Sequence, residues 1–408
     1  THLADYLEEF STQLESRGVI VHWAKDANDF NNIVLDILQS HGVKKMVKSK
    51  SMLTEECAMN PFLENHGIDV VETDLGERIL QLLHQKPSHI VMPAIHLKRE
   101  EVGQMFEEKG ISTEKGNYDP TYLTQCARKH LRNQFMEAGA GMTGCNFGVA
   151  KTGDIVVCTN EGNADMSTSM PKLHLVAMGI EKIVPDYKSL AVFQRLLCRS
   201  ATGQPTTAYT SHFRQARPGA EMHVILVDNG RSDILANDEH WETLKCIRCG
   251  ACMNTCPVYR RSGGYSYTYF IPGPIGINLG MLHDARRYSD NVSACTLCLS
   301  CDNVCPAKVN PGSQVYLWRQ KLDALHKADK MKKCMSKGME ELFDHPQLYS
   351  SALRLAPLAN LIPDGLTHIR SINPWGVGHA MPNFAKESFQ TMWKKGKLKV
   401  FVKPDEQS

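Results

Sequence analysis

The sequence has no long apolar run and almost no net charge, and both absences narrow the range of functions. Its most hydrophobic stretches, such as 155–158 and 224–227, have the length of a strand. They fall well short of the roughly 18 residues needed to cross a bilayer. With 46 basic and 44 acidic residues the net charge is +2, so no large basic surface is indicated. We therefore expect no transmembrane segment and no nucleic-acid partner.

An export signal is also lacking, whereas cysteine is abundant. The residues after Thr1 do not follow the basic, apolar and small-residue order of such a signal, so we expect a start inside a longer chain or a processed terminus. Eight of the 14 cysteines lie between Cys246 and Cys305. This crowding favours a metal centre in a reducing cytoplasm over a disulfide framework. With 42% hydrophobic and 22% charged residues, the 408-residue chain is typical of a globular protein with two or three domains.

The first part of the chain alternates between strand and helix patterns. After a helical start over 3–15, short β-branched runs occur at 19–23, 43–47, 68–71 and 89–92, with helical periodicity between them. This βαβ rhythm predicts a parallel sheet covered by helices. After Asp119 the strand candidates lie closer together, at 147–150, 154–159, 173–177, 206–210 and 223–228, and they favour a mixed sheet. We expect one α/β domain over residues 1–235.

The cysteines between 246 and 305 form two copies of one pattern. Cys246, Cys249, Cys252 and Cys256-Pro257 are repeated 49 residues later as Cys295, Cys298, Cys301 and Cys305-Pro306. Three thiolates at a spacing of three can surround one iron–sulfur cubane, whereas a cysteine four residues further on is carried to a second cluster. The usual two-cluster arrangement would bind one [4Fe-4S] cluster with Cys246, Cys249, Cys252 and Cys305, and the other with Cys295, Cys298, Cys301 and Cys256.

This pattern predicts a two-cluster ferredoxin domain over residues 236–318. Structural zinc generally takes pairs of ligands from two separated knuckles, which is a different spacing. Cubane clusters held by thiolates change charge by one electron, so their usual role is electron relay. The aromatic and glycine-rich stretch 259–291 between the copies fits either a loop that shields the clusters or a surface that docks a partner. Residues 319–408 are expected to be an extension that packs or docks, helical to about residue 344 and loop-rich after it.

Weaker signals point to a ligand site in the α/β domain. Polar residues cluster at predicted strand ends, where open α/β sheets place ligands. The candidates are Glu161 and Asn163 for a small carboxylate, with Ser167, Thr168 and Lys172 as donors; turns and helix caps would explain the same residues. Gly139, Gly141 and Gly144 match a dinucleotide fingerprint, but a helix precedes them and a strand follows, the reverse of what that site needs. Lys48-Ser-Lys50-Ser51 suits either an anion or a solvated cap.

Several motifs, in this order, resemble the lactate utilisation protein B family. They are Lys48-Ser-Lys-Ser-Met52, Val71-Glu-Thr-Asp-Leu-Gly-Glu77, Pro87-Ser-His-Ile90, Pro93-Ala-Ile-His96, Thr159-Asn-Glu-Gly-Asn163, Gly179-Ile-Glu-Lys-Ile-Val-Pro185, Cys256-Pro-Val-Tyr-Arg-Arg261 and Pro272-Gly-Pro-Ile-Gly276. The resemblance implies an α/β lactate-utilisation domain of the sugar-isomerase and CoA-transferase type, joined to a helical ferredoxin domain with two [4Fe-4S] clusters. An N-terminal segment usual in this family is not seen before the first helix.

The resemblance further implies a bacterial cytoplasmic system that oxidises L-lactate to pyruvate, with this chain as its iron–sulfur electron carrier. The expected partners are a cysteine-rich redox subunit and a second protein with a lactate-utilisation domain. The alternative is an oxidoreductase with its own site for a small organic acid, such as lactate or pyruvate, and the clusters as its electron outlet. A third hypothesis is an iron-responsive scaffold. Nothing in the sequence assigns a flavin.

Overall fold

The computed structural model describes residues 2–324, 330–369, 376, 379 and 383–397. The chain divides into two compact units, one that ends at Leu322 and one that begins at Asp323. No helix among the described residues is both long enough and apolar enough to cross a membrane.

Ten strands in the described residues form two sheets. They are β1 (Ile20–Ala24), β2 (Lys45–Lys48), β3 (Asp69–Glu72), β4 (Ala140–Gly144), β5 (Phe147–Val149), β6 (Asp154–Thr159), β7 (Leu173–Gly179), β8 (Ile183–Val184), β9 (Tyr209–Phe213) and β10 (Glu221–Val227). Six of them form a sheet in the order β1-β10-β7-β4-β2-β3, with every neighbouring pair parallel. The other four form a small sheet in the order β8-β5-β6-β9, in which only β5 and β8 are parallel. The predicted α/β class is confirmed.

Helices connect the strands, and after β10 the described residues form helices and loops but no strand. They are α1 (Leu3–Glu15), α2 (Ala27–Ser40), α3 (Met52–Glu56), α4 (Met59–Asn65), α5 (Leu75–Leu83), α6 (Arg99–Glu108), α7 (Pro120–Glu137), α8 (Asn163–Ser169), α9 (Tyr187–Thr202), α10 (Arg231–Leu235), α11 (Ala251–Thr255), α12 (Pro257–Ser262), α13 (Gly273–Ala294, kinked at Asp284), α14 (Ser300–Val304), α15 (Pro311–Ala324), α16 (Lys330–Asp344), α17 (Pro346–Leu355), α18 (Asp364–Thr367) and α19 (Phe389–Lys394). Short 3₁₀ helices lie at Ile180–Lys182, Trp241–Lys245, Gly264–Ser266 and Ala356–Leu361.

Aspartate caps determine where several of these helices begin. The side chains of Asp26, Asp74, Asp119 and Asp186 each accept a hydrogen bond from a backbone N–H in the first turn of α2, α5, α7 and α9. Such a cap satisfies one of the unpaired donors at a helix start and stabilises it by about 1 kcal/mol.

The parallel sheet is covered on both faces, which explains the apolar composition of its strands. In β10, Val224 and Leu226 point to one face and pack with Phe10 of α1, while Ile225 points to the other and packs with Phe30 of α2. This alternation is the period of two expected for a strand. Each large side chain that is fully buried stabilises the fold by about 1.5–3 kcal/mol.

Three features of the fold differ from the sequence prediction. The strand expected at 89–92 is a loop, because its backbone bends between Pro87 and Pro93 and packs against the cysteine-rich part. The glycine-rich stretch is the buried strand β4, so β4, β7 and β10 extend the parallel sheet and only the small sheet is mixed. The part after Asp344, expected to be loop-rich, contains α17, α18 and α19.

Candidate functional site

The two cysteine-rich stretches, here called the first segment (246–256) and the second segment (295–305), have the same local backbone. Arg248 and Leu297, at equivalent positions, have φ of 61° and 54°, and Gly250 and Leu299 have φ of 78° and 58°. A five-residue helix follows in each, α11 and α14. Left-handed residues in such loops turn successive backbone N–H groups toward one side, which creates a concavity that suits phosphate or an iron–sulfur cluster.

The last cysteine of the second segment lies beside the first segment. Burial, followed by the thiols of Cys246 and Cys305, raises the pKa of Cys249 to about 11. Cys246, Cys252 and Cys305 also pack against one apolar cluster that includes Ile90. The four thiols predicted to share a cluster are therefore brought together.

The last cysteine of the first segment lies beside the second segment in the same way. Burial, with Cys256 and Cys298 among the contributing neighbours, raises the pKa of Cys295. Burial also raises the pKa of Cys301 to about 12, with further contributions from Cys295 and Cys256. This is the second predicted group of four. Cys252 and Cys301 are near each other, and α11 packs against α14, so the two groups are adjacent.

Backbone N–H groups point at several of these sulfur atoms. The donors are Leu297 to Cys295 at 3.4 Å, Tyr259 to Cys256 at 3.5 Å and Val309 to Cys305 at 3.3 Å. None of the cysteines forms a disulfide. Thiolate donors in two groups of four, with N–H groups directed at sulfur, fit the requirements of two [4Fe-4S] clusters. Which cysteines ligate which cluster stays a prediction.

The stretch between the segments covers the cysteines and contacts the α/β domain. The hydroxyl of Tyr259 donates to the Ser88 carbonyl at 2.7 Å, and that of Tyr265 donates to the Lys86 carbonyl at 2.7 Å. Tyr269 is buried and packs edge-on against Tyr288. These contacts favour the shielding role over the docking role for this part of the stretch.

A cavity of about 350 Å³ lies at the carboxyl ends of the parallel strands. Its walls include residues that follow β2, β4 and β7, and the loop residues Ile247 and Arg248 of the first segment. In open α/β sheets ligands bind at this edge. The cavity therefore brings a possible ligand site next to the first group of cysteines.

Charged side chains line this cavity and connect it to the first segment. Arg231 pairs with Glu56 at 2.9 Å and with Glu181 at 2.6 Å. Burial alone would raise the pKa of Glu181, but the cations of Arg231 and Lys182 lower it to about 2. Lys182 donates from Nζ to the carbonyl of Cys246 at 3.2 Å. Arg248 contributes a buried Nη1 that has no hydrogen-bond partner among the described residues.

The structure separates the five predicted ligand residues. Glu161 and Asn163 line the cavity, and burial, with Asp74 as the next contribution, raises the pKa of Glu161 to about 7. Ser167 is buried under β4, and the Thr168 hydroxyl donates to a carbonyl of its own helix. Lys172 lies before β7, at the opposite end of the sheet. Only Glu161 and Asn163 are therefore at the site.

Several cavity residues were missed, and one motif has a different role. Lys182, Arg231 and Arg248 have no spacing that marks them, although Lys182 lies in the short 3₁₀ helix that follows β7. Lys48 is not exposed to an anion or to solvent, because its Nζ is buried 2.7 Å from Glu72. The other lysine of this motif, Lys50, faces the cavity, where its Nζ donates to the Val91 carbonyl at 2.9 Å.

Two family models match the chain. Residues 7–234 match the LUD domain, and residues 242–309 match the 4Fe-4S dicluster domain. The chain is 39% identical to lactate utilization protein B of Shouchella clausii (strain KSM-K16), over 96% of this chain and 85% of that protein. It is 37% identical to the uncharacterized electron transport protein YkgF of Escherichia coli (strain K12), over 97% of this chain and 85% of that protein. It is 39% identical to lactate utilization protein B 1 of Bacillus mycoides (strain KBAB4), over 96% of this chain and 83% of that protein.

Proposed function

Because the chain belongs to the lactate utilization protein B family, we propose that it is the electron-transfer subunit of a multi-protein system that oxidises L-lactate to pyruvate. The observation that supports this proposal is that Cys305 lies beside thiols of the first segment and Cys256 beside thiols of the second. Clusters held there would supply one-electron transfer with little movement of their ligands. Oxidation of lactate to pyruvate releases two electrons and two protons, so two one-electron centres match the reaction.

We assign Cys246, Cys249, Cys252 and Cys305 to one cluster, and Cys295, Cys298, Cys301 and Cys256 to the other. In this assignment each cluster takes its fourth ligand from the other segment. It therefore makes a prediction that differs from ligation of each cluster by one segment alone. Cys249→Ser and Cys305→Ser should remove the same EPR signal, although the two residues belong to different segments. Cys298→Ser and Cys256→Ser should remove the other signal. Loss of one signal by two cysteines of the same segment, Cys249 and Cys256, would overturn the assignment.

Reconstitution tests the proposed role directly. The cluster-loaded chain would be mixed without air with L-lactate and the partner subunits, which we take to be a cysteine-rich redox subunit and a second protein with a LUD domain. We expect EPR signals of reduced clusters, and none with D-lactate or when a partner is left out. Clusters that stay oxidised with all components present would argue against the role.

A second candidate function is supported by the cavity. It is large enough for a small organic acid, and Lys50, Arg248 and Lys182 place cationic groups around it. The chain would then bind lactate or pyruvate itself, beside the first group of cysteines. Calorimetry of the isolated, cluster-loaded chain with each acid distinguishes the two functions, because an electron carrier alone would give no binding heat.

Matched lysine variants sharpen that test. A hydrogen bond from Lys50 to a carboxylate contributes about 1.5–3 kcal/mol, so Lys50→Met should weaken binding at least about 10-fold. Lys172→Met, at the opposite end of the sheet, should leave binding unchanged. Equal effects of both substitutions would place the acid elsewhere.

A further inference from the structure

Three histidines and a glutamate lie together near the amino ends of β1 and β10, the opposite end of the sheet from the cavity. Glu221 and His223 are two residues apart on β10 and therefore point to the same face. His22 comes from the neighbouring strand β1, and His41 follows the last residue of α2. Neither the LUD family match nor the cysteine chemistry assigns a role to this cluster.

The side chains of His41, Glu221 and His223 converge on one point. The Nε2 atom of His41 is 3.2 Å from Oε1 of Glu221, and Nε2 of His223 is 2.5 Å from the same oxygen. The three possible ligand atoms all lie within 4.8 Å of one another. His223 is buried, whereas the side chains of His41 and Glu221 are 35% and 45% exposed, so an ion could enter from solvent.

The Nδ1 atoms of His41 and His223 have hydrogen-bond partners of their own, and these partners fix the orientation of the two imidazole rings. Nδ1 of His41 lies 2.8 Å from the Ile37 carbonyl, and the Ser40 hydroxyl, 3.2 Å away, itself donates to that carbonyl. Nδ1 of His223 lies 2.9 Å from Nε2 of His22. Histidines that bind metals almost always have such a partner on the second nitrogen, which sets the tautomer and orients the ring.

These contacts leave the Nε2 atoms of His41 and His223 facing the same carboxylate oxygen, Oε1 of Glu221. In His41 both ring nitrogens face oxygen acceptors, Nδ1 the Ile37 carbonyl and Nε2 the Glu221 carboxylate. In His223, Nε2 faces the same carboxylate oxygen, and the ring is buried. A divalent cation satisfies both Nε2 lone pairs and the carboxylate together.

We propose that His41, Glu221 and His223 bind a divalent first-row transition metal, with His22 as a positioning residue behind His223. Two imidazoles and one carboxylate are a ligand set typical of zinc and non-haem iron, and solvent would complete the coordination. The ion would join the C-terminal end of α2 to β10. This site is independent of the cluster cysteines and of lactate chemistry.

Zinc is the probe for this site, and the cluster-loaded protein is the sample, because its cluster thiols are then occupied. We expect one equivalent of Zn²⁺ to bind in a calorimetric titration. X-ray absorption at the zinc edge should show nitrogen and oxygen ligands at about 2.0–2.2 Å and no sulfur. Sulfur ligands, or no binding, would overturn the proposal without the need for any variant.

Variants then identify the ligands. His223→Ala and Glu221→Gln should each remove the one-equivalent binding, and His22→Ala should weaken it about 10-fold or more. His66→Ala is the matched control, because His66 follows α4 and makes the same Nδ1 contact, 2.8 Å from the Phe62 carbonyl, but is not in a metal-type cluster of the described residues. Should His223→Ala not fold, the partly exposed Glu221→Gln decides the outcome. Unchanged zinc binding in Glu221→Gln, or equal loss in His66→Ala, would refute the assignment.

Discussion

The first and second cysteine segments share a backbone but lie in different surroundings. In the first segment, Cys249 is 8% exposed and packs in a core with residues of β5 and α9. In the second segment, the equivalent Cys298 is exposed, as are the nearby Leu299 and Val304. One group of thiols is therefore enclosed by the α/β domain, while the other has an edge that a redox partner can approach.

Side-chain differences between the two copies explain these different surroundings. Gly250 lies against the α/β domain, where a Cβ would be 3.2 Å from atoms of both His89 and Val91. Its equivalent, Leu299, is 43% exposed. Met253 is fully buried, whereas its equivalent, Asp302, accepts hydrogen bonds from backbone N–H groups at the start of α15. The ligand pattern is thus kept while the residues between the cysteines adapt each copy to its neighbours.

The largest expected effect comes from removing one cysteine from each segment, in two separate variants. Cys298→Ser should lower the iron content from about eight to about four atoms per chain and leave the fold intact. Cys249→Ser should in addition destabilise the protein by about 3 kcal/mol or more, because a buried site loses the ion that organises it. Iron and sulfide analysis with anaerobic thermal unfolding measures both effects. Equal loss of stability in the two variants would show that the segments are equally enclosed.

Exchanging the residues between the second and third cysteines should give the next largest effect. Gly250→Leu would force a side chain against His89 and Val91 at a left-handed φ, and should cost about 2–3 kcal/mol. Leu299→Gly should be neutral or slightly stabilising, because it relieves a left-handed φ at an exposed position. Thermal or denaturant unfolding of the cluster-loaded protein measures the stability of both variants. A neutral Gly250→Leu would mean that the domain contact is loose.

Sequence reasoning identified the fold class and the cysteine pattern because both depend on local spacing. Alternating strand and helix periods predict a parallel sheet, and Cys-x-x-Cys-x-x-Cys predicts thiols around one cubane. β4 was missed because its glycines are there for close packing: a Cβ at Gly141 would lie 1.7 Å from the Ser167 carbonyl oxygen. Such a reason depends on a contact between distant parts of the chain, and it leaves no periodic pattern.

The candidate cavity could be predicted only in part for the same reason. Glu161 and Asn163 were found because they follow a strand whose end is visible in the sequence. Lys172 was placed with them by proximity in sequence, but it precedes β7 and so lies at the other end of the sheet. Arg231 and Arg248 reach the cavity from other elements, and no local pattern connects them with β6.

The residues between the first and second cysteines allow a smaller, electrostatic test. Arg248 carries a cation at a position where the second segment has Leu297, with the same left-handed backbone. A nearby positive charge favours the reduced state of a cluster, so Arg248→Leu should lower one reduction potential by about 50 mV, or roughly 1 kcal/mol. Leu297→Arg should raise the other potential. EPR-monitored redox titrations measure both, and an unchanged potential in Arg248→Leu would mean that solvent screens the guanidinium.

The smallest expected effect concerns the cavity beside the first segment. The pKa of Glu161 is raised to about 7 by burial, followed by Asp74, whereas the unfolded chain ionises this carboxyl near its ordinary value of 4.5. Between these two pH values the folded state holds a proton that the unfolded state has lost, so the stability falls as the pH rises from about 4.5 to 7 and is level above it. Because Glu161 also has exposed surface, we expect this loss to be about 1 kcal/mol or less.

Denaturant unfolding of Glu161→Gln should show a flatter stability profile over that range, with Glu114→Gln on an exposed loop as the control. If Glu161→Gln and the wild type have parallel profiles, the carboxyl ionises normally, and the cavity wall next to the cysteines is as wet as the exposed edge of the second segment.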